Sequence, residues 1–195
     1  MRRFLIAALL LTGGCLKGTE PTPVASVSVS TDASPNGVFV GDQVQFTTVA
    51  LDISGNPVPI AVTYTSSNTA VATVTTSGLV SILSAGTTII TIASGSQSVP
   101  VPIVVDPNVS SSVQITPGLL NIAVGAQGSL SAVVITTLNH PARNKTLVWS
   151  TTDASKVTVD QTGKVTGVAA TGAVSVCAAA SDAPTVKGCA TVIVQ

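Results

Sequence analysis

One stretch of this chain occurs twice. Residues 147–167 read LVWSTTDASKVTVDQTGKVTG, and residues 62–84 read VTYTSSNTAVATVTTSGLVSILS. With Tyr64 set against Trp149 the two run together without a gap as far as Val80 against Val165. Ser67 then meets Thr152, Asn68 meets Asp153, Val74 meets Val159 and Gly78 meets Gly163. The match extends upstream, where Val40-Gly41-Asp42-Gln43 answers Val124-Gly125-Ala126-Gln127. The offset, 149 − 64 = 85 residues, is far longer than a solenoid repeat and is the size of one small domain. The chain is therefore expected to hold two tandem domains of one type.

What those domains are made of follows from the residues inside the repeat. Hydrophobic residues make up 45% of the 195-residue chain and charged ones only 8%, which is a folding composition rather than a disordered one. Val and Thr, stiff at χ1, suit a pleated sheet. Short alternating runs fall at residues 25–31, 38–40, 44–51, 60–65, 70–75, 79–82, 87–93 and 99–105. Gly, Asn, Asp and Ser clusters punctuate them, among them Ser34-Pro35-Asn36-Gly37, Ser54-Gly55-Asn56-Pro57 and Ser77-Gly78. The second copy repeats the plan at 112–116, 120–124, 129–136, 146–150, 156–159, 164–168, 173–180 and 187–194. No stretch keeps a helical period, so the predicted class is all-β, with about eight strands per domain arranged as a β-sandwich. Pro100 and Pro102, two residues apart, remove N–H groups from one edge only, so their strand pairs on one side and is blunted on the other. The expected boundaries are domain 1 at 24–105, a linker at 106–108 and domain 2 at 109–195. A three-residue linker implies a restricted angle between the domains.

The beginning of the chain has a different character. Arg2-Arg3, the apolar run 4–11 and Thr12-Gly13-Gly14 precede Cys15. That is the layout of a secretory signal, and the apolar run is shorter than the ~20 residues that span a bilayer. Residues 11–15 resemble the lipobox of bacterial lipoproteins, which implies cleavage after residue 14 and lipidation of Cys15. Residues 15–23 then read as a short polar tether. An exported protein held at the envelope membrane by an N-terminal lipid is the expectation.

Val-Gly-x-Gln, an alternating run, an aromatic ahead of Ser/Thr-Ser/Thr-Asn/Asp, and Val-x-x-x-Gly-x-Val follow one another in both copies. In the first they are residues 40–43, 64–68 and 74–80; in the second, 124–127, 149–153 and 159–165. This order resembles the bacterial Ig-like group 2 domain. The resemblance implies Ig-like sandwiches used in surface and secreted bacterial proteins for adhesion or spacing. The single aromatic of each motif, Tyr64 or Trp149, is expected to anchor a core, where it contributes a large apolar area.

Catalytic chemistry is hard to find. The one histidine, His140, lies in a polar loop between Asn139 and Pro141, with no Gly-x-Ser-x-Gly elbow to serve. The eight carboxylates are scattered, with no glycosidase-like pair. No Cys/His cluster has zinc spacing, and no phosphate-binding or dinucleotide fingerprint occurs. No cofactor and no metal are expected. A calcium ion shared by Asp42, Asp52 and Asp106 at a domain end is disfavoured, because calcium takes six to eight oxygens and the loops show no dense acidic run. Residues 15–195 carry six basic and eight acidic side chains, 6 − 8 = −2, and no dense basic face, which excludes nucleic acid. Cys177 and Cys189 fall in two runs joined by a turn at 181–184. In a hairpin centred there, residues whose numbers sum to about 366 face each other, and 177 + 189 = 366, so a disulfide is predicted. The widest difference between the copies is the loop at 137–145, against 52–59 in the first. It reads first as a tolerated surface insertion; the sharper alternative is that, distal to the tether, it offers Arg143 and Lys145, with His140 beside them, to an acidic or polar partner such as an envelope protein or polysaccharide. The expected function is a non-enzymatic envelope lipoprotein for surface adhesion, binding or spacing. The alternatives are a passive unit of a larger assembly and a hydrolase of envelope polymers.

Overall fold

The computed structural model describes residues 23–34 and 37–195. The leader and Cys15 lie outside the described residues. Among the described residues no helix is long and apolar enough to cross a membrane. In the first domain the strands are β1 (Ser26–Thr31), β2 (Val38–Phe39), β3 (Gln43–Leu51), β4 (Thr63–Ser66), β5 (Ala72–Val74), β6 (Leu79–Ile82), β7 (Gly86–Ser94) and β8 (Gln97–Asp106). They form two four-stranded sheets, β1-β3-β6-β5 and β2-β8-β7-β4. The chain changes sheets between β1 and β2, and β2 runs parallel to the end of β8. Inward residues of both sheets, including Val44, Phe46, Val80, Ile90 and Ile92, meet in one core.

The second domain repeats the topology with β9 (Ser110–Thr116), β10 (Leu119–Ile122), β11 (Gln127–Ser129), β12 (Ser131–Thr136), β13 (Leu147–Thr151), β14 (Val157–Val159), β15 (Lys164–Gly167), β16 (Thr171–Ala180) and β17 (Ala183–Val194). Its outer sheet, β10-β17-β16-β13, matches β2-β8-β7-β4 strand for strand. The run expected as one strand at 129–136 is broken at Leu130, so the other sheet divides into β9-β12 and β11-β15-β14. Leu130, 1% exposed, turns into a separate core with Val134, Trp149, Val157, Val176 and Val192.

The repeated residues have repeated physical jobs. Gly78 and Gly163 sit in matching β-turns at φ +82° and +83°, a region L side chains avoid. Each glycine carbonyl accepts the N–H of the core residue opposite, Phe46 at 2.9 Å and Leu130 at 2.9 Å. Each also lies under the aromatic of its motif. A Cβ on Gly78 would come 3.0 Å from the Tyr64 ring, and one on Gly163 would come 2.9 Å from the Trp149 indole. Trp149 is buried in the second core, and Tyr64 is half-buried against the first. Gly41 and Gly125, both at positive φ, turn the chain so that their N–H groups reach Ile82 and Gly167.

The outer sheets differ in their ladders, β16–β17 carrying register shifts that β7–β8 lacks, and at one cross-strand pair in particular. Thr91 faces Pro100 in the first domain, whereas Cys177 faces Cys189 in the second and is bonded to it. Pro100 and Pro102 leave the β7–β8 ladder continuous from Gly86↔Val105 to Ser94↔Gln97, and on its other side β8 pairs with β2 only at Val105 and Asp106.

Candidate functional site

Of the polar side chains singled out in the loop at 137–145, His140 and Arg143 converge on the boundary between the domains. The loop is built like its counterpart in the first domain. There, Asp52 N–H donates to Asn56 C=O at 2.9 Å, Gly55 N–H returns to Asp52 C=O, and the Asp52 carboxylate accepts the N–H groups of Ser54 and Asn56. The Asn56 N–H contributes most to holding the Asp52 carboxyl below its ordinary pKa, with burial acting against it and the Ser54 N–H adding to it. In the second domain Thr136 N–H donates to His140 C=O at 2.8 Å and Asn139 N–H returns to Thr136 C=O. Asn139 takes the positive φ, 63°, that Gly55 takes in the first loop. The frame is one turn used twice, and only its side chains differ.

Those side chains turn the second loop into a clasp. Asp106, the last residue of β8, is 1% exposed. One of its carboxylate oxygens accepts the Thr136 hydroxyl at 2.5 Å and lies 2.9 Å from His140 Nδ1, while the other accepts the Asn108 N–H at 2.7 Å. Burial pushes the Asp106 carboxyl upward. The bonds from Thr136, Asn108 and His140, with the His140 charge, outweigh it, and the group stays ionised below the usual carboxylate range. Thr136 also accepts the His140 N–H, so one hydroxyl ties loop and linker together. Asn108, at φ 56°, reads the loop backbone with both ends of its amide, donating to Arg143 C=O and accepting Arg143 N–H, each at 3.0 Å.

Arg143 then crosses into the first domain. Its guanidinium donates to Asp42 at 2.5 Å and to the Gly37 carbonyl at 3.4 Å. It also stacks 4.2 Å above the Phe39 ring, a cation–π contact. The His140 ring meets Phe39 edge-on and covers Gly37 so closely that a Cβ there would lie 2.5 Å from it. A crevice of about 360 Å³ beside these groups is lined by Phe39, Asp42, Asp106, Asn108, Arg143 and Asn144. Lys145 turns the other way and pairs with Asp182, which also accepts the Ser110 hydroxyl at 3.0 Å. The Lys145 bond is the main cause holding the Asp182 carboxyl below its ordinary value.

His140, Arg143 and Lys145 are thus placed within one loop, and each already has a partner inside the chain. The loop faces the first domain. The carboxylate that meets Arg143 is Asp42, one of the three weighed, and disfavoured, as a shared calcium site. Asp42, Asp52 and Asp106 go to separate tasks, and no cluster of three metal-ligating residues forms among the described residues. Phe39, Asn108 and Thr136 complete the joint without having been singled out. The signal was available in the comparison of the copies, because Thr136 stands where the first loop has Asp52 and His140 where it has Asn56.

The class defined by this fold is a tandem of Ig-like β-sandwiches. Residues 45–96 match the family model described as intimin, immunoglobulin-like domain, and residues 110–190 match that of the bacterial Ig-like domain, group 2. The chain belongs with the bacterial Ig-like domains, two of them in sequence. The group 2 pattern read in both copies is met by the group 2 model in the second and by the intimin-type model in the first. Among solved structures, domains 4 and 5 of the S-layer protein SbsC resemble it with a TM-score of 0.56 at 17% identity, over 88% of this chain and 98% of that one. A longer fragment of SbsC gives a TM-score of 0.52 at 17% identity, over 90% of this chain. The chain spans only 28% of that fragment's length. No curated protein matches the chain.

Proposed function

We propose that this protein is a non-enzymatic module of the bacterial cell envelope. In this reading two Ig-like domains, 24–105 and 109–195, form a stalk whose joint at 106–108 is held at one angle, and a lipid on Cys15 ties the stalk to a membrane. The observation that carries the spacing role is the joint itself. A buried carboxylate with three donors and an arginine bridge between domains is more than a passive linker needs. Both family models describe Ig-like domains, and the carboxylate–imidazole pair formed by Asp106 and His140 has its carboxylate fully buried in the joint, which supports a structural rather than a hydrolytic role.

Two measurements on the full chain test this. Labelled fatty acid supplied to a bacterial host should enter the wild-type protein and not Cys15→Ala; equal labelling of both would remove the anchor. Distances between spin labels placed one in each domain should form a single narrow distribution; a broad one would remove the stiff spacer.

A second reading, recognition of an envelope polysaccharide, is favoured by a shallow groove of about 590 Å³ along β13, lined by Trp149, Ser129, Ser131, Thr146, Gln161 and Thr162. Trp149 is the only tryptophan, so its fluorescence during titration with envelope glycans checks this reading directly. A ligand at His140, Arg143 or Lys145 would instead have to displace Asp106, Asp42 or Asp182.

A further inference from the structure

The two domains treat the free edge of their outer sheets differently. In β13 the backbone of Trp149 points away from β16, and Gln161 closes it. The Gln161 side-chain oxygen accepts Trp149 N–H at 3.1 Å, and its amide donates to Trp149 C=O at 3.3 Å. This clamp occupies the groups an added strand would use. The same turn in the first domain carries Thr76, an exposed residue, where the second carries Gln161. Ser67 N–H donates to Ile89 C=O, so odd-numbered residues of this run face β7 and Tyr64 faces outward. No side chain among the described residues closes on the Tyr64 backbone. The edge Thr63–Ser66 has no charge and no proline, and the domain around it, 24–105, has no Lys or Arg to act as a gatekeeper. β1 (Ser26–Thr31) is also an edge without charge or proline, but it lies in the other sheet, and the two edges beside β4 are poorer templates. β5 has three residues, and the outer edge of β8 is blunted by Pro100 and Pro102.

We infer that β4 is a pairing edge for a second copy of this chain, joined to it antiparallel about a two-fold axis centred on Tyr64. The edge suits itself. Two copies in this register exchange N–H···O bonds between their Tyr64 residues, and exposed Thr63 of one stands opposite Thr65 of the other, a favourable cross-strand pair. No charge opposes the approach. The contacts of the internal joint are not repeated for association end to end, because Phe39, Asp42 and Asp106 are answered in the second domain by Ala123, Ala126 and Gln195. A four-residue strand covers far less than the ~1,000 Å² of a stable interface. The pair is therefore weak in solution and is favoured where chains are concentrated.

The test is sedimentation of the full chain in detergent over a dilution series reaching about 1 mM. The wild type should rise above the mass of one chain toward two. Thr76→Gln transplants the clamp and should weaken association roughly tenfold, ~1.4 kcal/mol, with an unchanged melting temperature. Gln161→Thr opens the second edge and should give species larger than dimers. A wild type that stays at one chain throughout overturns the inference. Thr76→Gln associating like the wild type also overturns it, whether the leader or another protein segment is then responsible.

Discussion

Gly163 explains at the scale of one residue why the repeat keeps the letters it does. The Val-x-x-x-Gly-x-Val motif could be read as turn chemistry alone, since φ is +83° there. The structure adds a second constraint, because a Cβ would lie 2.2 Å from the Leu130 carbonyl oxygen as well as against Trp149. Gly125 separates the two effects. It has φ +77°, yet nothing lies within 4 Å of its missing Cβ. Gly125→Ala should therefore cost only the left-handed conformation, ~1 kcal/mol. Gly163→Ala should cost ~3 kcal/mol or more, because strain and overpacking add. Chemical denaturation followed through Trp149 fluorescence measures both. Equal losses would mean that the aromatic can move aside and that only backbone conformation selects the glycine.

At the scale of strands, periodicity and turn residues were legible and the interruptions were not. The runs at 79–82 and 87–93 become β6 and β7 with at most one residue added at either end. Alternation marks a strand wherever one face is buried. The break at Leu130 was hidden, because the alternation of exposed and buried side chains runs straight through it, from Ser129 through Leu130 to Ser131. The β16–β17 hairpin was legible to the level of a residue pair, since antiparallel register is arithmetic once the turn is placed. The Cys177–Cys189 bridge closes a short loop, with a sequence separation of 12, and is worth ~3 kcal/mol in the chain-entropy model. Cys177→Ser with Cys189→Ser should lower the second domain's stability by about that much and leave the first domain unchanged. Separate transitions in calorimetry would show it. A shift in both domains together would mean that the joint couples them more strongly than the hairpin's own stability requires.

The whole molecule depends on which joint contact holds the domains together, and burial decides between two answers. The Arg143–Asp42 pair looks dominant, since it crosses the boundary directly, but its side chains are 39% and 25% exposed. Exposed ion pairs contribute ~0–1 kcal/mol. Asp106, with a side chain 0% exposed, has no water to fall back on. Losing the Thr136 hydroxyl leaves its carboxylate short of a donor and the His140 N–H without an acceptor, at a cost of roughly 1–3 kcal/mol for a buried group. Sequence could not rank the two, because burial at 106 depends on a loop 30 residues away. Arg143→Ser should therefore cost under ~1 kcal/mol and broaden the interdomain distance distribution only slightly. Thr136→Val, close in shape, should cost ~2 kcal/mol and broaden the interdomain distance distribution markedly. Denaturation and spin-label distances on the same variants give the ranking. If Arg143→Ser frees the domains while Thr136→Val leaves them coupled, the surface bridge holds the angle and the buried carboxylate only fills the space beneath it.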